Sequence, residues 1–173
     1  MAAILGTRSA SWPPPMALAT KIDRLGGFHS PRDRALRIIG LMKKAFDHIG
    51  IPTSEPHPGE SWVPFSQVWV TNPRAHPQRI EYIRPKEPPQ VPADQPGLWK
   101  LWHWPHIAYR VDDLPAALKG EELVFGPFDP GGFGEVAFVL KNGVIVEYMH
   151  YYDLSHWFGQ PNPPGWKPEP FSD

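Results

Sequence analysis

"HIAYRVDDLPAALKGEELVFGPFDPGGFGEVAFVLKNGVIVEYMHY", residues 106–151, decides the fold. It opens with an alternating run, His106–Val111, that reads as a strand. "DDLPAALKG" follows as a short helix: Asp112 or Asp113 can cap its start, and Gly120 can end it. "ELVFGPF" is a second strand and "DPGGFGE" a turn-rich loop. "EVAFVLK" and "VIVEYMHYY" are then joined by Asn142-Gly143, the favoured type I′ hairpin pair. The order is strand, helix, and three more strands.

Upstream, parts of this module recur. "HIGIP" at 48–52 matches "HIAYR" at 106–110, and "RIEYI" at 79–83 matches "VEYM" at 146–149. Each histidine precedes a Glu-Tyr pair, by 33 residues (48 to 81) in the first copy and by 41 (106 to 147) in the second. The eight-residue difference is what loss of a short helix would leave. Alternation places His106, Ala108 and Arg110 on one face, and Ile145, Glu147 and Met149 on one face of the last strand. It likewise groups His48 with Gly50, and Arg79 with Glu81 and Ile83. Ile49, Ile51, Ile80 and Tyr82 are expected to form a core behind.

The rest of the chain frames these modules. Residues 1–29 read as an irregular leader, basic and acid-free at its start as transit peptides are, or as a start placed upstream of Met16. Ser30-Pro31 reads as the beginning of a helix through "RDRALRIIGLMKKAF", with Leu36, Ile39, Met42 and Phe46 inward and Arg34, Arg37, Lys43 and Lys44 outward. Residues 53–64 read as Pro-rich loop, and "SQVWVT" and "QRIEYI" as strands joined by "NPRAHP". "WKLWHWPHIAYRV" runs into the second histidine strand, and the last twenty residues are coil packed over a surface or opening. The expected domain is 30–173: module one at 47–84, linker 85–98, module two at 99–152 and a tail at 153–173.

Composition narrows the chemistry. The chain has 173 residues, 41% hydrophobic and 20% charged, which suits one folded domain. Its net charge is −1, so nothing draws nucleic acid or an anionic membrane in bulk, and a cytoplasmic protein is expected. There is no cysteine, so thiolate chemistry, disulfides and Cys-held zinc or iron–sulfur sites are excluded. Any metal must be held by His, Asp or Glu, which suits zinc, nickel, cobalt, manganese or iron. "GGFG" at 131–134 lacks the strand–loop–helix context of a phosphate loop.

The motif "HIAYRVDDLPAALKG…LVFGPF…GEVAFVLKNGVIVEYMHY" resembles a βαβββ module of the vicinal oxygen chelate superfamily, which includes glyoxalase I, methylmalonyl-CoA epimerase and extradiol dioxygenases. The resemblance covers 106–151, and 47–84 more faintly. It implies an α+β fold: two βαβββ-type modules paired into a cupped mixed sheet, the first shortened, here with an extra N-terminal helix. It also implies one divalent metal ion held from the first and last strands of each module, at His48, Glu81, His106 and Glu147. The first module departs from the pattern, lacking a crossover helix and one strand.

That donor set points to a metal-dependent isomerase, epimerase or glyoxalase-like lyase acting on a small oxygenated carbonyl compound through a metal-stabilised enolate. Glu147 and Glu81 are the expected acid–base pair. Arg110, Tyr151, Trp69 and Met149 are the expected substrate-binding residues, with Phe138 and Trp157 as further wall. A ferrous extradiol-type dioxygenase needs only two His and one carboxylate, and a metal-free small-molecule binding protein would keep the cup alone. Taken singly, a histidine at a strand start is ordinarily structural; the repeat is what lifts these two above that reading. Both modules lie in one chain, so a monomer or a homodimer fits.

Overall fold

The computed structural model describes residues 42–87 and 90–172. Strand β1 (Lys44–Pro52) is followed by β2 (Ser61–Val63), β3 (Val68–Val70), a 3-10 turn at Pro73–Ala75 and β4 (Ile80–Pro85). Helix α1 (Leu98–His103) leads to β5 (His106–Val111), helix α2 (Leu114–Leu118), β6 (Glu122–Phe128), β7 (Gly134–Lys141) and β8 (Val144–Tyr151). A minute hairpin, β9 (His156–Trp157) and β10 (Gln160–Pro161), opens the tail.

Eight strands form one mixed sheet in the order β2-β3-β4-β1-β5-β8-β7-β6. β1 pairs parallel with β4, β5 pairs parallel with β8, and β1 and β5 join the halves antiparallel. The order is therefore the same read outward from the central seam in either direction, as two copies of one module require. The cupped α+β sheet expected from the sequence is the observed architecture.

Local chemistry accounts for the second module. Asp113 accepts from Ala116 N at 2.9 Å and caps α2, whose start also carries a proline. Asn142 and Gly143 both take positive φ, 51° and 80°, as a type I′ turn demands. β7 and β8 then pair over eight registered positions, from Gly134↔Tyr151 to Lys141↔Val144.

The first module has its full set of four strands, so the expected missing strand is present: Ser61–Val63 is β2, where Pro-rich loop was expected. Short strands are the largest part of the eight-residue deficit, partly offset by a longer β3–β4 connection, residues 71–79. β2 and β3 have 3 residues each, against 7 and 8 for β6 and β7. No helix fills the β1–β2 crossover, residues 53–60.

Two further expectations are corrected. The helix over 31–46 lies outside the described residues up to 41, and its last turn is strand: Lys44, Ala45 and Phe46 pair with Val111, Arg110 and Tyr109. Partner strand β5 outweighs the local helical spacing of Met42 and Phe46. Conversely Leu98–His103, expected to run into a strand, is helical, with Leu98, Leu101 and Trp102 buried at i, i+3 and i+4.

The main core fills the cup rather than backing it. Val63, Val68, Val70, Ile83, Phe125, Phe138, Ile145 and Met149 from the sheet pack with Leu98, Leu101 and Trp102 of α1 and with Phe133 and Trp157. A second cluster lies behind module two, where α2 covers Ala137, Val139, Val146 and Tyr148. Behind module one, Ile49, Ile51, Ile80 and Tyr82 are only half-buried, not the core expected there.

Trp102 links the core helix to the β2–β3 turn: its Nε1 donates to Ser66 O at 2.8 Å, with both residues buried. Trp102→Phe leaves that carbonyl without its donor and is expected to cost about 1–3 kcal/mol in a urea titration, with the slope unchanged.

Candidate metal centre

The site is laid out by register. Across the sheet, His48 on β1 pairs with Ala108 on β5, which pairs with Glu147 on β8. One step along, Glu81 on β4 pairs with Gly50 on β1, which pairs with His106 on β5. Each row sets a histidine and a glutamate on either side of a small residue. All six point into the cup and are buried or nearly so.

A bulge in β1 makes this phase possible. The β1–β5 register runs Ala45↔Arg110 and Phe46↔Tyr109, then resumes at His48↔Ala108, leaving Asp47 as the extra residue. Both Asp47 and His48 consequently reach the interior. The Asp47 carboxylate lies 2.9 Å from His48 Nδ1 and accepts from the Tyr151 hydroxyl at 3.2 Å. A carboxylate on Nδ1 fixes the ring and presents Nε2 to the cup.

The donor atoms converge. Glu147 Oε2 lies 3.1 Å from His106 Nε2 and 3.3 Å from His48 Nε2. Ligand atoms of His48, His106 and Glu147 all lie within 4.8 Å of one another. Yet the two Nε2 atoms and Glu147 Oε2 are fully buried without a hydrogen-bond partner. Buried polar atoms are ordinarily paired, so three orphans aimed at one point need a common partner. Donors about 2.1 Å from one ion stand roughly 3.0–3.4 Å apart, which matches these separations. The residues fit a divalent cation held by two imidazoles and a carboxylate.

Glu81 joins at the edge: its Oε2 is 3.3 Å from His48 Nε2, but it stands outside the mutually close group of three. Gly50 makes room for His106. A Cβ at Gly50 would fall 2.1 Å from His106 Cε1, inside the ring's own volume.

The charges are strongly coupled. Burial opposes a charged His48, but Glu81, Asp47 and Glu147 outweigh it and hold its pKa well above the ordinary value. Burial likewise opposes ionised Glu147, yet the His106 and His48 imidazoles beside it bring it down to about 2. Glu81 goes the other way: burial dominates and raises it, despite His48. Burial, then the charge of Asp47, holds the Tyr151 hydroxyl well above its usual range.

A small cavity opens onto Glu81, His106 and Glu147. Phe138, Met149 and Trp157 line it, as expected from the sequence. Trp69 does not: it lies on the outer face, 5.1 Å from the Trp62 ring and under the Arg84 guanidinium. Its neighbours Val68 and Val70 face the cavity, because the strand phase is opposite to the one that role requires. Arg110 shares the face of His106, but the tail engages it. Its Nη2 donates to the Glu169 carbonyl, and its guanidinium sits 4.5 Å from the Phe171 ring centroid. Tyr151 is second to the site, acting on Asp47 rather than on the cavity.

Three contributors were not singled out from sequence: Asp47, Gly50 and Arg74. Arg74 is buried and pins the tail, donating to Leu154 O, His156 O and Asn162 Oδ1. Asp47 was adjacent to His48 in "FDHIGIP", but strict alternation puts neighbours on opposite faces and hides it. Gly50 had a signal, since it occupies the position of Ala108 in the repeat.

No protein-family model matches the chain, and no curated protein matches it significantly. Among solved structures, a hypothetical protein from Bacillus halodurans C-125 is similar at 18% identity and a TM-score of 0.45, over 65% of this chain and 98% of that one. No helix among the described residues is long and apolar enough to cross a membrane.

Gly50→Ala is expected to displace the His106 ring and lower affinity for a divalent ion at least tenfold, read by calorimetry, while circular dichroism stays native. Asp47→Ala removes the restraint on His48 Nδ1, and its expected loss is about 10–100-fold. Unchanged affinity in both would show that neither residue positions a ligand.

Proposed function

We propose that this chain is a metal-dependent enzyme of the vicinal oxygen chelate type, an isomerase, epimerase or glyoxalase-like lyase acting on a small oxygenated carbonyl compound. The observation that supports the reading is the buried His48–His106–Glu147 group, whose donor atoms converge without partners beside a cavity. His48, His106 and Glu147 would hold zinc, nickel, cobalt, manganese or iron. Such an ion supplies Lewis acidity toward a carbonyl oxygen.

The protein's own part is proton transfer and exclusion of water. Glu81 is the general base in this reading. It borders the same cavity, is not required to complete the three-donor group, and has its proton affinity raised by burial. It takes the proton α to the carbonyl at a carboxylate oxygen. Returning that proton to the neighbouring carbon gives isomerisation; a proton delivered to the opposite face by a second acid gives epimerisation. Glu147, held ionised by two imidazoles, serves as ligand rather than base. One chain supplies every group, so a monomer suffices.

One observation favours a second reading. With Glu81 outside the close group, two histidines and one carboxylate are the donor set of ferrous oxygenases.

Metal uptake is the first test. The purified chain is expected to take up about one equivalent of a divalent ion, and His106→Ala to abolish it; less than half an equivalent for the native chain overturns the reading. Glu81→Gln separates the two chemistries. The proton-transfer reading expects metal uptake within a few-fold of native, with solvent deuterium incorporation into α-hydroxy carbonyl compounds reduced at least 100-fold. Oxygen consumption by the iron-loaded chain, unaffected by Glu81→Gln, supports the dioxygenase instead.

A further inference from the structure

The cavity's walls carry more information than its floor. Val68, Val70 and Ile83 face it from module one, and Phe133, Phe138 and Met149 from module two. Apart from Glu81, His106 and Glu147, the lining residues bring only two polar side-chain groups, the Ser66 hydroxyl and the buried, unpaired Trp157 indole N–H, and neither carries charge. No lysine or arginine lines it among the described residues.

The two buried arginines nearest this region are committed elsewhere. Arg74 donates to three oxygens of the tail and stands over the rings of Tyr151, Trp157 and Trp166. Arg110 donates to the Glu169 carbonyl and rests on Phe171. Arg74 Nε and Nη2 and Arg110 Nε are buried without partners, but neither residue lines the cavity.

The charge balance points the same way. Asp47, Glu81 and Glu147 bring three negative charges to the site, and a divalent ion would offset two. With neutral imidazoles the loaded site is left at about −1. In an apolar wall of low polarisability an anionic ligand body would have no countercharge and would lose its hydration.

Building on the metal-centre reading, we propose that this site takes ligands with an uncharged, hydrophobic body, aromatic or branched aliphatic, and a compact oxygen-donor head. Substrates whose handle is a phosphate, a carboxylate or a large polar carrier are excluded. The head reaches the floor at His106 and Glu147, and the body lies between the valine wall of module one and the aromatic wall of module two. Selectivity then resides in walls supplied by both modules, whereas the tail supplies closure through Trp157 and Phe158.

The test uses the full chain loaded with zinc and three hydroxamates that share one head: benzohydroxamate, acetohydroxamate and 4-carboxybenzohydroxamate. Calorimetry is expected to show benzohydroxamate binding at least tenfold tighter than acetohydroxamate and at least tenfold tighter than the carboxylated ring. Phe128→Ala, at the half-buried rim of the cavity, is expected to shrink the first ratio at least threefold while leaving zinc affinity unchanged. Equal or tighter binding of the carboxylated ring, or no gain from phenyl over methyl, overturns the inference and leaves the metal reading standing. A chain that retains no zinc removes both.

Discussion

Gly50 and Ala108 set the spacing on which the cup depends. Each occupies the middle of a three-strand row with a histidine on one flank and a glutamate on the other. A larger residue at either place would push its neighbours apart. At Gly50 there is no room even for a methyl group, because the His106 ring already fills it. The seam between β1 and β5 thus does two jobs at once: it joins the halves of the sheet and brings His48, His106 and Glu147 to one point, with Glu81 at its edge. The bulge at Asp47 is the accommodation that lets the seam do both, since without it Ala45 and His48 could not face the same side.

So much charge in one interior is costly, and the arrangement shows how the cost is limited. Glu147 sits between two imidazoles, Asp47 is held by His48 and by the Tyr151 hydroxyl, and Glu81 approaches the same His48 Nε2 that faces Glu147. Even so, three ligand atoms stay without partners. An ordinary structural ion-pair network would close on itself, with every lone pair and proton answered. This one is closed on its outer side, through Asp47 and Tyr151, and open toward the cavity. That polarity is what a site able to hold an ion needs and a closed salt bridge lacks.

How much of this was legible varied with how local each cause is. The second module could be read nearly element by element, because its turn chemistry and strand alternation are local: Asn142-Gly143 and the Asp113 cap name their own structures. His48, His106, Glu81 and Glu147 were legible through their repeated spacing and strand phase. What resisted reading was set by partners distant in sequence. Lys44–Phe46 carries a helical pattern but lies against β5, and β2 is three residues of strand inside proline-rich surroundings. Arg110 has the correct face and the wrong company, since nothing local announces that Glu169 and Phe171 will return to cover it. Asp47 was hidden by alternation, the very rule that revealed its neighbour.

The tail's last contact gives the folded unit an unusual closure. Ser172 donates from its backbone N to Lys44 O at 3.1 Å and from its hydroxyl at 2.8 Å, forming a bridge with the first residue of β1. The path that begins at the sheet's centre therefore ends beside its own origin, after crossing both modules. Entry and exit share one doorway, so a short splice between residues 172 and 44 would turn the fold into a ring with little distortion. New ends could then be opened at an exposed turn such as Asn142-Gly143. In such a rearranged chain β8 would come first and β7 last, with the rows that carry the histidines and glutamates unaltered.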